Sequence, residues 1–494
     1  MRRHARQRGY AMLFAVIAVV GVAFVLVRSL NAATWKADRL RVTNAALAQA
    51  KEALIARAVA DENRPGSLPC PDTNNDGQAE LFVGNDCPSY VGRLPWRTLD
   101  LPDIRDADGE RLWYVLSRTH RDHLSAEPIN SNTIGEIALV GAAPSPSLLA
   151  LIVAPGRPLI RAGGASMQAR DCPANCNNPV NFLDSAGGVD NAVWAPVGGP
   201  PPVVTLTAVP ETSTFNDRVL AINADDIMPL VERRAARDIA LTLRGRYEGW
   251  QAAAGRGFYP WPAPFNDPAN PGLGQSGTMH GHLPVAAAPL VWTQANPSLG
   301  TCTGVGTTTL TCTTLAALNL FSLTARVDNI ASRFTLPPTA PTVTGLTVLG
   351  TTYNWTLNGG SERLLFTFSG TLAAATVIVK APALGSFAPA ASPWLVSNQW
   401  NQVATYAISD GHAINGPGIC DPADPCISLG GAADKEAVVI MTGRLLAGQA
   451  ARPPKPPAVV ADYLEGANTT PADLALERNL RTPAFNDQPL AVRP

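Results

Sequence analysis

The sequence predicts an α+β protein: an N-terminal transmembrane helix, then two tandem modules, each a helix packed on an antiparallel sheet, the second carrying an inserted all-β region. Three observations predict it. An uncharged apolar run over 10–27 follows a cluster of arginines. A series of short motifs occurs twice along the chain in one order. A Thr/Val-rich stretch of alternating polarity interrupts the second occurrence. The implied boundaries are a basic leader at 1–9, a span at 10–33, a first module at 34–223 and a second at 224–494, with the insertion at about 292–397.

At about 1.5 Å per residue the apolar run reaches ~27 Å, close to the ~30 Å hydrocarbon core of a bilayer. Arg2, Arg3, Arg6 and Arg8 precede it, so the positive-inside rule leaves them in the cytoplasm and puts the chain beyond Arg28 outside. A secretory signal with Asn31-Ala32-Ala33 as its cleavage site is the competing reading. No Pro or Gly falls between Val22 and Asn63, and Leu40, Leu47, Leu54, Ile55 and Ala58 recur near helical spacing. One helix from Tyr10 to Ala60 would therefore run ~76 Å, half in the membrane and half laid on a globular domain.

The junction Arg8-Gly9-Tyr10-Ala11-Met12-Leu13-Phe14 resembles the start of type IV pilin-like proteins, the prepilins and pseudopilins. The resemblance covers the N-terminal helix. It implies a leader ending at Gly9, cleavage by a prepilin peptidase, and methylation of Tyr10 as the mature N-terminus. It also implies an inner-membrane anchor and a helix-on-sheet periplasmic head. The partners it implies are other pilin-like subunits or secretion and pilus assembly proteins. Phe14 stands where the family usually carries Glu, a departure shared by some tip-located minor subunits.

The first copy of the repeat reads as a helix, then Gly66-Ser67-Leu68-Pro69-Cys70-Pro71, Gly92-Arg93-Leu94-Pro95, Trp113-Tyr114-Val115-Leu116-Ser117, Ile152-Val153-Ala154-Pro155-Gly156-Arg157, Phe182-Leu183-Asp184 and Phe215-Asn216-Asp217. The second has a helix over 225–250 with Ile227, Leu230, Val231, Ile239, Leu243, Tyr247 and Trp250 on one stripe. After it come Gly257-Phe258-Tyr259-Pro260-Trp261-Pro262, Gly281-His282-Leu283-Pro284, Thr405-Tyr406-Ala407-Ile408-Ser409, Val439-Ile440-Met441-Thr442-Gly443-Arg444, Tyr463-Leu464-Glu465 and Phe485-Asn486-Asp487. The apolar β-rich runs read as core strands, and Gly-Arg as the turn leaving one. In each Phe-Asn-Asp the polar pair is expected to set a local turn before a final strand. The insertion alternates over 346–357 and 364–379, as a small sandwich or extended sheet would, with Cys302 and Cys312 pinning a hairpin.

Composition narrows the class. Charged residues are 16% and net charge is −1, which argues against a nucleic-acid partner, and 46% hydrophobic residues argue against disorder. The eight cysteines fall in local pairs: Cys70 and Cys87, Cys172 and Cys176, Cys302 and Cys312, Cys420 and Cys426. Such pairing predicts disulfides closing short loops, although sequence alone leaves about 105 connectivities. A zinc site is the other reading, and no pair has C-x-x-C spacing with a matching partner pair.

The leading site is Asp72-Thr73-Asn74-Asn75-Asp76-Gly77-Gln78-Ala79-Glu80. Oxygen side chains at alternate positions followed by Gly match the start of a calcium loop, with Asp72, Asn74, Asp76 and Glu80 as ligands. Val83 occupies the place of the usual bidentate Glu, which Glu80 or Asp86 would replace. The competing reading is an Asx-rich turn stapled by Cys70 and Cys87. Asp103, Asp106 and Asp108 form a second acidic turn, read as a metal site or a solvated loop. His280 and His282 read as a transition-metal pair or as surface histidines in a loop. No hydrolase, Walker or dinucleotide motif occurs, and Gly274-Gln275-Ser276-Gly277 lacks the strand and helix of a nucleophile elbow. The expectation is a non-enzymatic structural subunit at the tip of a secretion pseudopilus or type IV pilus. The alternative is a membrane-tethered periplasmic binding or adhesion protein outside any filament.

Overall fold

A computed structural model describes residues 4–493 apart from 124–126, 173–174, 193–203, 266–271, 273, 276, 286–290, 298–299, 314–320, 329–340, 359–360, 382–392, 415, 451, 453–458 and 471–473. Within helices and strands, the side chains of 4–11, 21, 23–33, 253–254, 296–297, 321–323, 327–328, 353–358 and 361–364 are also outside the description. The fold is mixed α+β, with several antiparallel sheets and a few helices.

Helix α1, His4–Ala60, runs unbroken because nothing in it removes a backbone donor or adds glycine freedom after Val22. Leu47, Ala50, Leu54 and Ala58 are buried on one stripe. Met12, Leu13, Phe14, Val16, Ile17, Val19, Val20 and Val22 are all exposed. The expected span at 10–33 is helical, but the side-chain surroundings at Gly9, Tyr10, Ala11 and 23–33 lie outside the description. Among the described residues no helix is long and apolar enough to cross a membrane.

The chain forms two compact units. The first comprises Met1–Ala60, Ser67–Ala126 and Ile134–Asp226; the second comprises Asp61–Gly66, Glu127–Thr133 and Ile227–Pro494. Two short segments of the expected first module thus belong with the second unit. Asn130 Nδ2 donates to Asn398 O at 3.2 Å, Ser131 Oγ to Glu232 Oε1 at 2.7 Å, and Asn398 Nδ2 to Asn63 O at 3.2 Å.

In the first unit β1 (Val91–Arg93), β2 (Trp113–Leu116), β3 (Ala150–Ala154) and β4 (Arg218–Ile222) form an antiparallel sheet in that order. Both faces are covered, so β2 and β3 are buried along their whole length. α1 lies on one face, with Lys51 Nζ donating to Ala221 O at 3.0 Å. On the other, Trp113, Val115, Leu151 and Val153 pack with Phe182, Leu183 and Leu206. A three-stranded sheet of Ser145–Leu148, Ile137–Gly141 and Val204–Ala208 completes that layer, its last pair parallel.

In the second unit α2 (Ala224–Ala254) is followed by β5 (His280–His282), β6 (Ala404–Ile408), β7 (Ala437–Met441) and β8 (Gln488–Ala491), antiparallel in the same order. A three-stranded sheet again flanks them: Ala432–Lys435, Ile427–Leu429 and Ala475–Leu476, the last pair parallel. Leu230, expected on the buried stripe of α2, is exposed, and Met228 is buried in its stead. The fully buried Glu232 receives Ser131, Arg481 and Gln488.

The insertion lies between β5 and β6. Its strands form two four-stranded sheets, and Leu310, Ala325, Phe366, Phe368, Val377 and Val379 are buried in it. Cys302 sits directly opposite Cys312 in the hairpin of Thr301–Thr303 and Thr309–Thr313.

Candidate functional site

All eight cysteines are paired: Cys70–Cys87, Cys172–Cys176, Cys302–Cys312 and Cys420–Cys426. Four disulfides point to an oxidising, extracytoplasmic compartment.

The 72–80 loop is built from its own hydrogen bonds. Asp72 is buried; its Oδ1 accepts from Asn74 N at 3.1 Å and Asn75 N at 2.6 Å, and its Oδ2 from Gly77 N at 2.7 Å. Asn74 Oδ1 accepts from Asp76 N, and Asp76 Oδ1 from Gln78 N. These are successive Asx turns. They hold Asn75 and Gly77 at φ 68° and 88°, and a side chain on Gly77 would run into Trp96. Burial pushes the Asp72 carboxyl up against the pull of the three N–H donors. Glu80 Oε1 accepts from Thr73 N and Oγ1, at 3.0 and 2.6 Å. Asp86 is held instead by Arg118 Nε at 2.8 Å, which with Tyr90 takes its carboxyl down to about 2. Asp72, Asp76 and Glu80 do not converge: among the described residues the one group of three metal-capable side chains within 4.8 Å is His412, Cys420 and Cys426.

The second acidic turn is likewise taken up by protein partners. Asp103 pairs with Arg105 and Arg111, Asp106 accepts Asp108 N, Glu110 N and Gly156 N, and Asp108 pairs with Arg39. Ser276 lies outside the described residues. His280 and His282 are not surface histidines. They sit in β5 against Phe265, with the His282 ring 4.6 Å from Tyr463. Burial drops both to about 4, so they are neutral at pH 7.

Each unit holds the same buried polar network. In the first, Asp184 N and Asn191 Nδ2 donate to Asp217 Oδ2, Asn216 N donates to Asp184 Oδ2, and Gln168 Nε2 to Asp184 Oδ1. Arg170 donates to Gly156 O, Asn181 O, Phe182 O and Gln168 Oε1. In the second, Glu465 N and Asn468 Nδ2 donate to Asp487 Oδ2, Asn486 N to Glu465 Oε2, and Gln449 Nε2 to Glu465 Oε1. Arg452 there donates to Gly443 O, Asp462 O, Tyr463 O and Gln449 Oε1. Asn216 and Asn486 press against Gly156 and Gly443, whose φ of 59° and 57° leaves no room for a Cβ. Phe-Asn-Asp is therefore not a local turn, as expected from sequence, but one half of a long-range clamp. Burial, with a second carboxylate close by, raises Asp217 and Asp487.

Sequence reasoning missed Gln168, Arg170, Asn191 and their counterparts: the arginine and asparagine spacings differ between the copies, while each glutamine stands 16 residues before its acid partner, a signal that was available. It also missed Ser117 and His120, matched by Ser409 and His412, although the signal was available. Each Ser ends a β-strand motif and each His follows three residues on. His120 O accepts Leu68 N at 2.8 Å and His412 O accepts Tyr259 N at 2.9 Å, tying each turn to the segment before the first strand. Comparison of the chain with protein-family models, curated proteins and solved structures gives no match.

Proposed function

We propose that this chain is a non-enzymatic structural subunit of the pilin-like or pseudopilin-like class. Residues 10–33 anchor it in the inner membrane, the chain beyond them lies in the periplasm, and it sits at the tip of a secretion pseudopilus or type IV pilus. The observation that carries the proposal is α1: a single 57-residue helix whose start presents Leu13, Phe14, Ile17 and Val20 outward and whose end is buried on a sheet. Each large apolar side chain left in water forgoes about 1.5–3 kcal/mol, so this row calls for lipid or neighbouring helices. Trp35, Lys36, Arg39 and Arg41 follow it, the residue types that mark a membrane boundary. The four disulfides fit the periplasmic side. Phe14 in place of Glu and the bulk of the insertion favour a tip over a packed shaft. Mass spectrometry of the chain from its native membrane is expected to show N-methyl-Tyr10 as the first residue; an intact Met1 or a terminus near Ala33 rejects the proposal.

The insertion, which the first unit lacks, favours one second reading: a membrane-tethered binding or adhesion protein outside any filament. The same terminus separates the two.

Calcium belongs to the proposal at the 72–80 loop. Successive Asx turns support the reading, and Asn74 and Asp76 are exposed beside the buried Asp72. Calorimetry is expected to show one calcium site in the wild type and none in Asp76→Ala. Heat absent from the wild type removes calcium from the proposal and leaves the subunit reading untouched.

A further inference from the structure

The group of His412, Cys420 and Cys426 has no role in the reading above. Of the four disulfides, Cys420–Cys426 is the one in which neither cysteine is buried, while Cys70 and Cys87 are sealed at 2% and 1% exposure. His412 Nδ1 stands 3.6 Å from Cys420 Sγ and 3.0 Å from Ser409 Oγ. Its Nε2 faces Glu436 Oε1 at 3.5 Å. Glu436 is fixed in turn by Tyr259 O–H at 3.1 Å and Arg493 Nη1 at 3.2 Å. A sulfur, an imidazole and a carboxylate therefore stand in line, the carboxylate orienting the ring.

Contacts other than the disulfide also hold this alignment. Gly418 N donates to Gly411 O at 2.7 Å, and Arg256 grips Ile414 O and Gly416 O, so the chain entering Cys420 is tied down ahead of the sulfur. Asp421 caps the loop between the cysteines through Ala423 N at 2.7 Å and Asp424 N at 2.9 Å. In the first unit the equivalent His120 Nδ1 stands 2.9 Å from Thr119 Oγ1, and among the described residues the one group that joins a histidine to two cysteines is that of His412. The histidine turn is common to both units.

We propose that Cys420–Cys426 is a redox-active disulfide that exchanges with a dithiol, free or on a thiol oxidoreductase, with Cys420 leaving as a thiolate paired with His412. An incoming thiolate attacks Cys426 Sγ, the S–S bond breaks, and its electron pair goes to Cys420 Sγ. The second thiol of the donor then resolves the mixed disulfide. Two electrons and two protons pass from the dithiol: one proton ends on Cys426, the other on His412, and the donor becomes a disulfide. The leaving sulfur departs faster as its thiolate is stabilised. Facing the imidazole are Glu436, which favours its proton, Arg493 and burial, which oppose it, and the ring of Tyr247; Asp410 and Asp424 lie on the loop side. The thiolate itself, once formed, adds a negative charge on the Nδ1 side.

The test uses the full chain, limiting dithiothreitol at pH 6.5, an iodoacetamide quench and peptide mass spectrometry. Cys420–Cys426 is expected to open before Cys70–Cys87. Once open, Cys420 is expected to alkylate at least tenfold faster than Cys426 at pH 6, and His412→Asn to slow Cys420 tenfold while leaving Cys426 unchanged. Where His412→Asn fails to fold, Glu436→Gln is expected to shift the pH profile of Cys420 toward that of a free thiol, near ~8.5. Equal alkylation of both sulfurs with ordinary thiol profiles, or profiles indifferent to whichever variant folds, overturns the proposal.

Discussion

Arg452→Met is expected to destabilise the chain by about 3–5 kcal/mol, read from the denaturant midpoint by tryptophan fluorescence. Arg452 is 7% exposed and spreads its guanidinium over Gly443 O at 2.6 Å, Asp462 O at 2.8 Å, Thr442 Oγ1 at 2.8 Å and Gln449 Oε1 at 3.1 Å. Methionine fills the volume but leaves those acceptors in a dry interior, at ~1–3 kcal/mol for each left unmade. It also removes a cation that interacts electrostatically with Glu465 and Asp487. Arg452→Lys is expected to recover less than half the loss, because one ammonium cannot reach carbonyls on both sides of the planar fork. Arg170→Met should act in the same way on the first unit. A loss below ~1 kcal/mol would show that the network does not hold the fold.

The second large effect is on acid stability. His280 and His282 fall to about 4 in the fold, against an ordinary 6.5. Between those values the unfolded chain binds more protons than the native one, so stability rises with pH there and is lost as pH drops from 6.5 toward 4. The full shift is worth roughly 3 kcal/mol for each ring. His280→Val, which installs the residue found at the matching register as Val91, is expected to remove about half of the slope between pH 6.5 and 4.5. Asp86, lowered to about 2, loses its contribution only below that window. Asp217 and Asp487, raised by burial, act with opposite sign, since the fold holds their protons more tightly than the open chain. An unchanged slope in His280→Val would place the acid sensitivity elsewhere.

The sequence by itself determined the local and periodic features. The long helix followed from an absence of Pro and Gly beyond Val22, and its buried Leu47, Leu54 and Ala58 from helical spacing. The strands at 113–116 and 404–408, the Cys302–Cys312 hairpin and the insertion followed from side-chain alternation and short loops. These are properties of neighbouring residues, and the chain displays them directly. Only the tertiary structure decided what distant polar residues do. Asn216 and Asp217 looked like a turn, yet they close a clamp on Gly156 and Asp184. His280 and His282 looked solvated, yet they are packed in a sheet. Asp61–Gly66 and Glu127–Thr133 looked like parts of the first module, yet they belong to the second unit. Burial turns a polar side chain from a surface ornament into a group that must find partners. Those partners are chosen by the fold, tens to hundreds of residues away.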